Sequence, residues 1–325
     1  MTTRTLSYLK ALREALQEEL RRDERTFLMG EDVQTGVYGS SAGLVDEFGP
    51  TRIRNTPISE SAMVGIAIGA AMTGMRPIVD FTIASFVYVA MDQLVSQAAK
   101  SRFMFGGQTT IPLVCRAAMF YGGSNAAQHS DRPYPLFMAV PGFKVIVPAT
   151  PADAKGLLKS AIRDDNVVMC FEDSTLWFSK GEVPEDDYLV PLGKAEVKRV
   201  GTDVTLVSVS GALPHAVAAA EAVSSEGIAT ELIDIRTLVP LDRDTVLGSV
   251  SKTGRLVIAD PAHRVCSAAS EIAAVVAEEA FGELRAPIVR VTTPQFHIPF
   301  SRPLESAMYP SADSIAAALR SVCAS

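Results

Sequence analysis

Short apolar runs that alternate with helical patterns are the feature that most limits the folds open to this chain. Parallel strands need a crossover connection, which is usually a helix, so this order predicts a mostly parallel sheet with helices on both faces. The predicted strands of the first series are residues 26–29, 76–81, 111–116, 144–148 and 167–172. The predicted helices of this series are residues 6–22, 43–48, 62–75, 83–103 and 151–163.

A second alternating series follows a charged, proline-bearing segment, residues 179–191, that has no periodicity. Such composition is typical of a linker between domains. The predicted strands of the second series are residues 204–208, 230–236, 256–259 and 288–291. The sequence therefore predicts an α/β chain with two doubly wound domains, residues 1–180 and 196–325, joined by a linker at 181–195.

Composition excludes some classes of partner. The chain has 325 residues and a formal net charge of −7, and its basic residues form no dense cluster. Nucleic acids and anionic membranes are bound by basic patches, so we expect neither as a partner. The longest uncharged apolar run, residues 62–75, is shorter than the roughly 20 residues that cross a bilayer, and the N-terminus has no signal-peptide core.

Cysteine usage indicates a reducing compartment. Four cysteines are widely spaced along the chain, and none belongs to a CxxC motif. Cys115 and Cys170 lie in apolar, strand-like runs, where buried free thiols are the ordinary form. We therefore expect a cytoplasmic protein.

Glu60 lies in the first turn of the helix predicted after Pro57. The residue before a proline is pushed out of the helical region, and Ser59 can then cap a helix that runs through residues 62–75. A first-turn acid is common because the helix dipole favours negative charge, so a structural role is one interpretation. The other is a carboxylate in an apolar niche that shares a proton with a bound ligand. These residues alone leave both interpretations open.

Two further side chains occupy places where ligands meet α/β sheets. His129 follows a glycine-rich, irregular stretch and precedes Pro133, and an imidazole in such a loop is a candidate acid or base. A solvated loop histidine is the alternative. Phe86 begins a helix just past a predicted strand end, where its ring could stack on a flat heterocycle or simply pack in the core.

A polar turn follows the helix predicted at residues 151–163. Asp164, Asp165 and Asn166 could hold a hard cation together with backbone carbonyls, although an ordinary polar turn explains the same composition. Elsewhere the sequence contains no Walker A loop, no GxGxxG or GxSxG elbow directly after a predicted strand, and no HExxH. The chain therefore displays no self-contained cofactor motif.

Taken together, these residues resemble the beta subunit of the decarboxylating component of 2-oxo acid dehydrogenase complexes, in the transketolase-like superfamily. The resemblance runs through nearly the whole chain, and no single block decides it. The blocks are GEDV at 30–33, TPISE at 56–60, G-x-RP at 74–77, DQ at 92–93, AAK at 98–100, GGQ at 106–108, QHS at 128–130, PG at 141–142, DAKGLLKSAIRD at 153–164, FE at 171–172, PLGKA at 191–195, DVT at 203–205, IDIRTL-x-P at 233–240, KTGR at 252–255, SEIAA at 270–274 and PFS-x-PLE at 299–305.

The resemblance implies a fold and a cofactor. The fold is a transketolase-like pyrimidine-binding domain followed by a transketolase C-terminal-like domain, and the cofactor is thiamine diphosphate. Glu60 occupies the position of the family carboxylate opposite the pyrimidine ring nitrogen, which activates the thiazolium carbon of the cofactor. Phe86 falls where a family aromatic stacks on the pyrimidine, and Ile58 is expected to contact the cofactor beside it. His129 falls where a family histidine reaches the substrate side of the thiazolium.

The resemblance also implies partners and metals. In the family, a GDG…N segment of an alpha subunit holds the diphosphate and Mg²⁺, and this chain has no GDG. The expected assembly is an α2β2 heterotetramer that is active only with its alpha subunit and works with a lipoyl acyltransferase. Some members bind potassium at positions that correspond here to Ala161, Ile162, Asp164 and Asn166.

The chain departs from the family pattern after His129 and Ser130. Asp131 and Arg132 place a charge pair on the expected substrate side, and Ala139 replaces a second family histidine. The substrate and the acyl acceptor therefore stay open.

Three hypotheses remain. The leading one is a 2-oxo acid dehydrogenase beta subunit that decarboxylates a 2-oxo acid and transfers the acyl group to a lipoyl arm. The second is a relative that delivers a short acyl or ketol unit to a carrier protein or another acceptor. The third is a non-catalytic assembly subunit.

Overall fold

The computed structural model describes residues 2–324, which form two compact units. The first unit runs to Phe120 and resumes at Leu136–Leu192. The second unit consists of Tyr121–Pro135 and the chain from Gly193 onward. The segment 121–135 thus belongs with the second unit, whereas the sequence placed it inside a continuous first domain, because its polar contacts are made with residues that come much later in the chain.

The elements alternate as the sequence predicts. The strands are β1 (Thr3–Ser7), β2 (Thr26–Gly30), β3 (Ile53–Asn55), β4 (Arg76–Ile83), β5 (Val114–Met119), β6 (Phe143–Ile146), β7 (Val167–Asp173), β8 (Lys180–Pro184), β9 (Glu196–Arg199), β10 (Val204–Ser208), β11 (Thr230–Asp234), β12 (Thr237–Val239), β13 (Leu256–His263) and β14 (Val289–Thr293). The α-helices are α1 (Tyr8–Arg22), α2 (Leu44–Phe48), α3 (Glu60–Met72), α4 (Ala99–Met104), α5 (Ala126–His129), α6 (Tyr134–Met138), α7 (Pro151–Arg163), α8 (Leu213–Ser224), α9 (Arg243–Thr253), α10 (Ala268–Glu279), α11 (Arg302–Ser306) and α12 (Ala312–Ala324).

The sheet of the first unit is parallel, with the strand order β6-β7-β5-β4-β2-β3. Every residue of β2, β5 and β7 is buried, as expected for strands covered on both faces. Helix α1 packs against α7 and buries the stripe of Leu12, Leu16 and Leu20. The buried ammonium groups of Lys155 and Lys159 on α7 both pair with Glu18 on α1.

Several parts of the first unit differ from the prediction: β3 was not predicted, and β5 begins three residues later than the strand predicted at 111–116. The helix expected at residues 83–103 is a 3₁₀ segment (Ala84–Ala90), a π-helical segment (Asp92–Ala98) and then α4. Aromatic and β-branched residues crowd its start, where they disfavour regular α-helix. The presumed linker contains β8, which pairs with β1 in an antiparallel ribbon.

The second unit has a smaller sheet with the order β14-β13-β10-β11-β9, parallel except for β9. A cluster of buried hydroxyl groups connects helix α9 to β10, the middle strand of this sheet, by hydrogen bonds. Thr205 on β10 lies 2.7 Å from the hydroxyl of Ser249 and 2.8 Å from that of Thr253. Across the described residues, no helix combines the length and apolar character needed to span a membrane.

Candidate active site

Glu60 opens α3, and its side chain is only 6% exposed. Ser59 occupies the cap position, as predicted, but its side chain makes no capping hydrogen bond. The carboxylate of Glu60 is thus held at the end of a helix made largely of apolar and small residues, next to Met63 and Val64, which are buried. This position favours negative charge through the helix dipole while withholding most of the water that would solvate it.

A second carboxyl group, Glu31, lies near Glu60. Glu31 follows directly after β2 and is half-buried. Burial raises the pKa of Glu31 above its ordinary value, and the charges of Glu60 and Asp32 raise it further. The sequence did not single out Glu31, although its signal was present in the GEDV block at the end of a predicted strand.

Phe86 lies in the 3₁₀ segment that follows β4, and its ring is half-buried. The turn into this segment passes through Thr82, whose φ of 62° is unusual for a β-branched residue. The amide of Thr82 donates to Asp80 Oδ1 at 2.9 Å, and Arg116 Nη1 donates to Asp80 Oδ2 at 3.2 Å. Ile58, predicted to touch a cofactor, is 82% exposed. The hydrogen bonds of Asp80 with Thr82 and Arg116 thus stabilise the turn that leads into the segment containing Phe86.

His129 ends the short helix α5 in the second unit, and the approach to it is backbone-strained. Gly122, Ser124 and Ala126 all have positive φ, at 73°, 59° and 58°. The amides of Gly122 and Ser124 donate to the two carboxylate oxygens of Glu305 at 2.8 and 2.9 Å. The ring of His129 is half-buried, with Nδ1 shielded from solvent.

Arg132 is buried within the second unit at 7% exposure. Its guanidinium carbon lies 4.0 Å from the centroid of the Tyr121 ring and 5.0 Å from that of Tyr309, both within cation–π range. Its Nη1 donates to the carbonyl of Ser130 at 3.0 Å. Asp131 is half-buried beside it. The charge of Arg132 therefore makes cation–π contacts with Tyr121 and Tyr309, which belong to the same unit.

The oxygens predicted to bind potassium already accept hydrogen bonds from protein groups. Asp164 accepts from the ammonium of Lys144 and from the amide of Asn166. Burial tends to raise the pKa of Asp164, but the hydrogen bonds from Lys144 and Asn166 outweigh burial and lower it. The carbonyl of Ala161 accepts from the amide of Asp164 at 3.2 Å.

Two arginines engage the remaining positions. Nε of Arg76 donates to the carbonyl of Ile162 at 3.0 Å, and its Nη2 donates to the carbonyl of Asp164 at 3.2 Å. Arg102 donates to the side-chain oxygen of Asn166. Three cationic side chains therefore surround the turn where a metal ion was expected.

The predicted residues fall into separate groups. Glu60, Phe86 and Ile58 belong to the first unit together with the turn at 161–166, whereas His129, Asp131 and Arg132 belong to the second. Within residues 2–324, no cluster of three or more His, Cys, Asp or Glu side chains has metal-binding geometry.

Comparison with known proteins gives consistent matches over almost the whole chain. Residues 4–176 match the family described as transketolase, pyrimidine binding domain, and residues 193–315 match transketolase, C-terminal domain. The chain is 45% identical to acetoin:2,6-dichlorophenolindophenol oxidoreductase subunit beta of Bacillus subtilis, over 96% of this chain and 95% of that protein. It is 40% identical to 2-oxoisovalerate dehydrogenase subunit beta of the same bacterium, over 97% of this chain and 98% of that one.

Two further comparisons extend the range. Pyruvate dehydrogenase E1 component subunit beta of Rhizobium meliloti is 42% identical, over 98% of this chain and 70% of that protein. A solved structure described as a split gene transketolase, inactive beta4 tetramer, superposes with a TM-score of 0.82 at 23% identity, over 98% of both chains. At that sequence identity the structural match supports only the assignment of the fold.

Proposed function

Because the chain belongs to the family of beta subunits of thiamine diphosphate-dependent 2-oxo acid dehydrogenases, we propose that it supplies Glu60 and His129 to an active site completed by an alpha subunit. The observation that carries this proposal is the nearly buried carboxylate of Glu60 at the first turn of α3. When bound, thiamine diphosphate supplies the electron sink for cleaving the bond next to the substrate carbonyl.

The residues of the first unit suit the pyrimidine end of this cofactor. Glu60 would exchange a proton with a ring nitrogen, since its nearly buried carboxyl group lies at the start of α3 beside apolar neighbours. The half-buried ring of Phe86 offers a face for the pyrimidine, and the exposed Ile58 offers an apolar contact. These residues bind and orient the cofactor and handle its proton.

The residues of the second unit suit the substrate side. His129 has one shielded ring nitrogen, which favours a defined orientation for proton transfer or for contact with the incoming acyl acceptor. Asp131 lies next in the loop and would adjust the charge near the substrate. Arg132 would act on the substrate through the shape of the loop, because its charge lies against the rings of Tyr121 and Tyr309.

The alpha subunit is proposed to hold the diphosphate and Mg²⁺ in an α2β2 assembly, with a lipoyl acyltransferase accepting the acyl group in the cytoplasm. A potassium ion at Ala161, Ile162, Asp164 and Asn166 would first have to displace the ammonium of Lys144. The described geometry does not fit such an ion without that displacement.

A second candidate function is cleavage of a ketol. It is favoured by the relative named as an acetoin oxidoreductase subunit and by the altered residues at 131–140. Acetoin carries no carboxylate, so its cleavage releases no CO₂. The acceptor in this case would be an electrophile: the disulfide of a lipoyl group, an electrophilic group held on a carrier protein, or the carbonyl of an aldehyde.

The decisive experiment uses the chain co-expressed with its alpha subunit. Pyruvate, 2-oxoisovalerate and acetoin are offered with a dye acceptor, and CO₂ from carboxyl-labelled substrate is measured together with aldehyde release. We expect turnover in the complex and none from the isolated chain. Glu60→Gln should lower kcat by roughly 10²–10⁴-fold, the usual contribution of one acid–base group. Full activity in Glu60→Gln would instead support a non-catalytic assembly role.

The acceptor is tested separately. Transfer of labelled product to an isolated lipoyl domain is compared with transfer to a carrier protein. Preference for the lipoyl domain supports the dehydrogenase, and preference for the carrier protein supports the second candidate.

A further inference from the structure

We propose that Glu305 is a positioning residue for His129, because its carboxylate is the internal anion around which the loop 121–126 is folded. This inference rests on the proposed function only for the role of His129. The contacts that anchor the loop to Glu305 all lie within the second unit.

The loop 121–126 has the backbone form of an anion-binding nest. Gly122, Ser124 and Ala126 take left-handed φ values, whereas Asn125 between two of them is right-handed, with φ −85° and ψ −2°. Alternation of this kind turns backbone amides toward one side, where they make a concave cradle for a negative group. Two of these amides, from Gly122 and Ser124, meet the carboxylate of Glu305.

The position of Glu305 suits its carboxylate to remain bound to these amides. It is 0% exposed and lies on α11, whose start is fixed by the amide of Glu305 donating to the carbonyl of Ser301 at 2.8 Å. Two hydrogen bonds to one carboxylate are charge-assisted and therefore stronger than bonds between neutral groups. They offset the strain of placing the non-glycine residues Ser124 and Ala126 in the left-handed region.

A second contact fixes the other end of the same segment. The hydroxyl of Tyr134 donates to Asp260, which also accepts the amides of Ala262 and Ala269 at 2.9 Å each. His129 lies between these two anchors, at the end of the four-residue helix α5. The position of its ring therefore depends on where Glu305 sets the start of that helix.

Two substitutions test the anchor. Glu305→Gln keeps the size of the side chain but removes its charge. Gly122→Ala leaves Glu305 intact and strains only the backbone, since a Cβ at Gly122 would meet no atom within 4 Å. Gly227→Ala is the control, because Gly227 also has positive φ, at 86°, and open space around its Cβ, yet lies far from the loop in sequence.

The first readout is independent of catalysis. Diethyl pyrocarbonate modification of each histidine is followed by peptide mass spectrometry in the complex with the alpha subunit, with the exposed His215 and His297 as internal references. We expect His129 to react several-fold faster in Glu305→Gln and in Gly122→Ala than in Gly227→Ala. The reference histidines should react equally in all three.

The second readout is steady-state kinetics of the complex. We expect kcat to fall by roughly 10- to 100-fold in both loop variants, because a displacement of about 1 Å at a reacting group can cost that much. The KM for thiamine diphosphate should be unchanged, since the proposed cofactor contacts Glu60 and Phe86 belong to the other unit.

The outcomes separate the two ideas. Equal His129 reactivity in Gly122→Ala and Gly227→Ala overturns the anchoring, and this comparison stands even where Glu305→Gln does not assemble. Faster modification of His129 with unchanged kcat upholds the anchoring and contradicts the proposed role of His129. Loss of kcat in His129→Gln, with neither loop variant changed, upholds the proposed function and contradicts the anchoring.

Discussion

The guanidinium of Arg116 and the carboxylate of Glu172 form a two-point ion pair inside the first unit, with nitrogen–oxygen distances of 2.7 and 3.0 Å. Both side chains are buried, and Asp80 completes the network on the other side of Arg116. Burial raises the pKa of Glu172 despite the opposing effect of Arg116. This network connects three adjacent strands at the ends that lead into the proposed cofactor site.

Replacing Arg116 should strongly destabilise the chain. Arg116→Met leaves Glu172 as a buried carboxyl group without its cation, and removing one member of such a pair costs about 3–5 kcal/mol. Denaturant unfolding of the isolated chain measures the loss. The control is Glu226→Gln, which breaks an exposed pair with Arg320 and should leave the midpoint unchanged. Equal changes in the unfolding midpoint for the two substitutions would show that the buried network stabilises the chain no more than an exposed ion pair does.

Thr82→Gly should weaken cofactor binding without lowering the stability of the chain. Glycine accepts the positive φ of Thr82 without strain, so the free energy of unfolding should stay the same or rise by about 1 kcal/mol. The same change loosens the turn that aims Phe86, so the Kd for thiamine diphosphate should rise several-fold. Isothermal titration of the complex measures the Kd, and an unchanged Kd would mean that the strained turn does not control Phe86.

Lys144→Met should make the stability of the chain respond to potassium. In the wild-type chain the ammonium of Lys144 already pairs with Asp164, so exchanging choline chloride for potassium chloride should leave Tm unchanged. In the variant, Asp164 lacks that cation, and potassium should restore part of the lost Tm by binding the folded state. Sodium chloride at the same concentration controls for ionic strength. A potassium response in the wild-type chain would show that the ion displaces Lys144.

The elevated pKa of Glu31 makes a prediction about pH. A carboxyl group that binds its proton more tightly in the folded state adds stability below its ordinary pKa of 4.5, and this is lost as pH rises through the raised value. The Tm of the wild-type chain should therefore contain a component that falls as the pH rises above the ordinary pKa of this carboxyl group. Glu31→Gln should remove this component, whereas Glu24→Gln, on an exposed position, should keep it. Identical pH profiles for the two variants would contradict the assignment.

Local patterns predicted the framework of the fold well. Helix α7 begins and ends where the sequence placed it. Its start is fixed because the side-chain oxygen of Thr150 accepts a hydrogen bond from the amide of Asp153 and Pro151 occupies the first position. Strand β7 begins where predicted, because the apolar run at 167–171 between turn signals has few alternatives, and it extends one residue beyond the prediction, to Asp173.

Contacts between distant residues were beyond such patterns. In the ribbon of β1 and β8, Thr5 lies opposite Glu182. Neither segment alone shows the alternation of apolar and polar residues that predicts a strand. The anchoring of the His129 loop by Glu305 was missed for the same reason, since PFS-x-PLE contributed only to the resemblance. For the candidate site, the sequence indicated Glu60 and His129, but only the structure showed Glu31 near Glu60 and Glu305 bonded to the loop that precedes His129.

The long sequence separation between Gly122 and Glu305, 183 residues, has a consequence for biosynthesis. During translation the strands of the first sheet can pair as soon as Cys170 and its neighbours leave the ribosome, because domains tend to fold from the N-terminal end. The nascent loop before His129 lacks the carboxylate that its amides bind until Glu305 has left the ribosome. A prematurely terminated product would then present Glu60 to an alpha subunit yet be unable to shape the histidine loop.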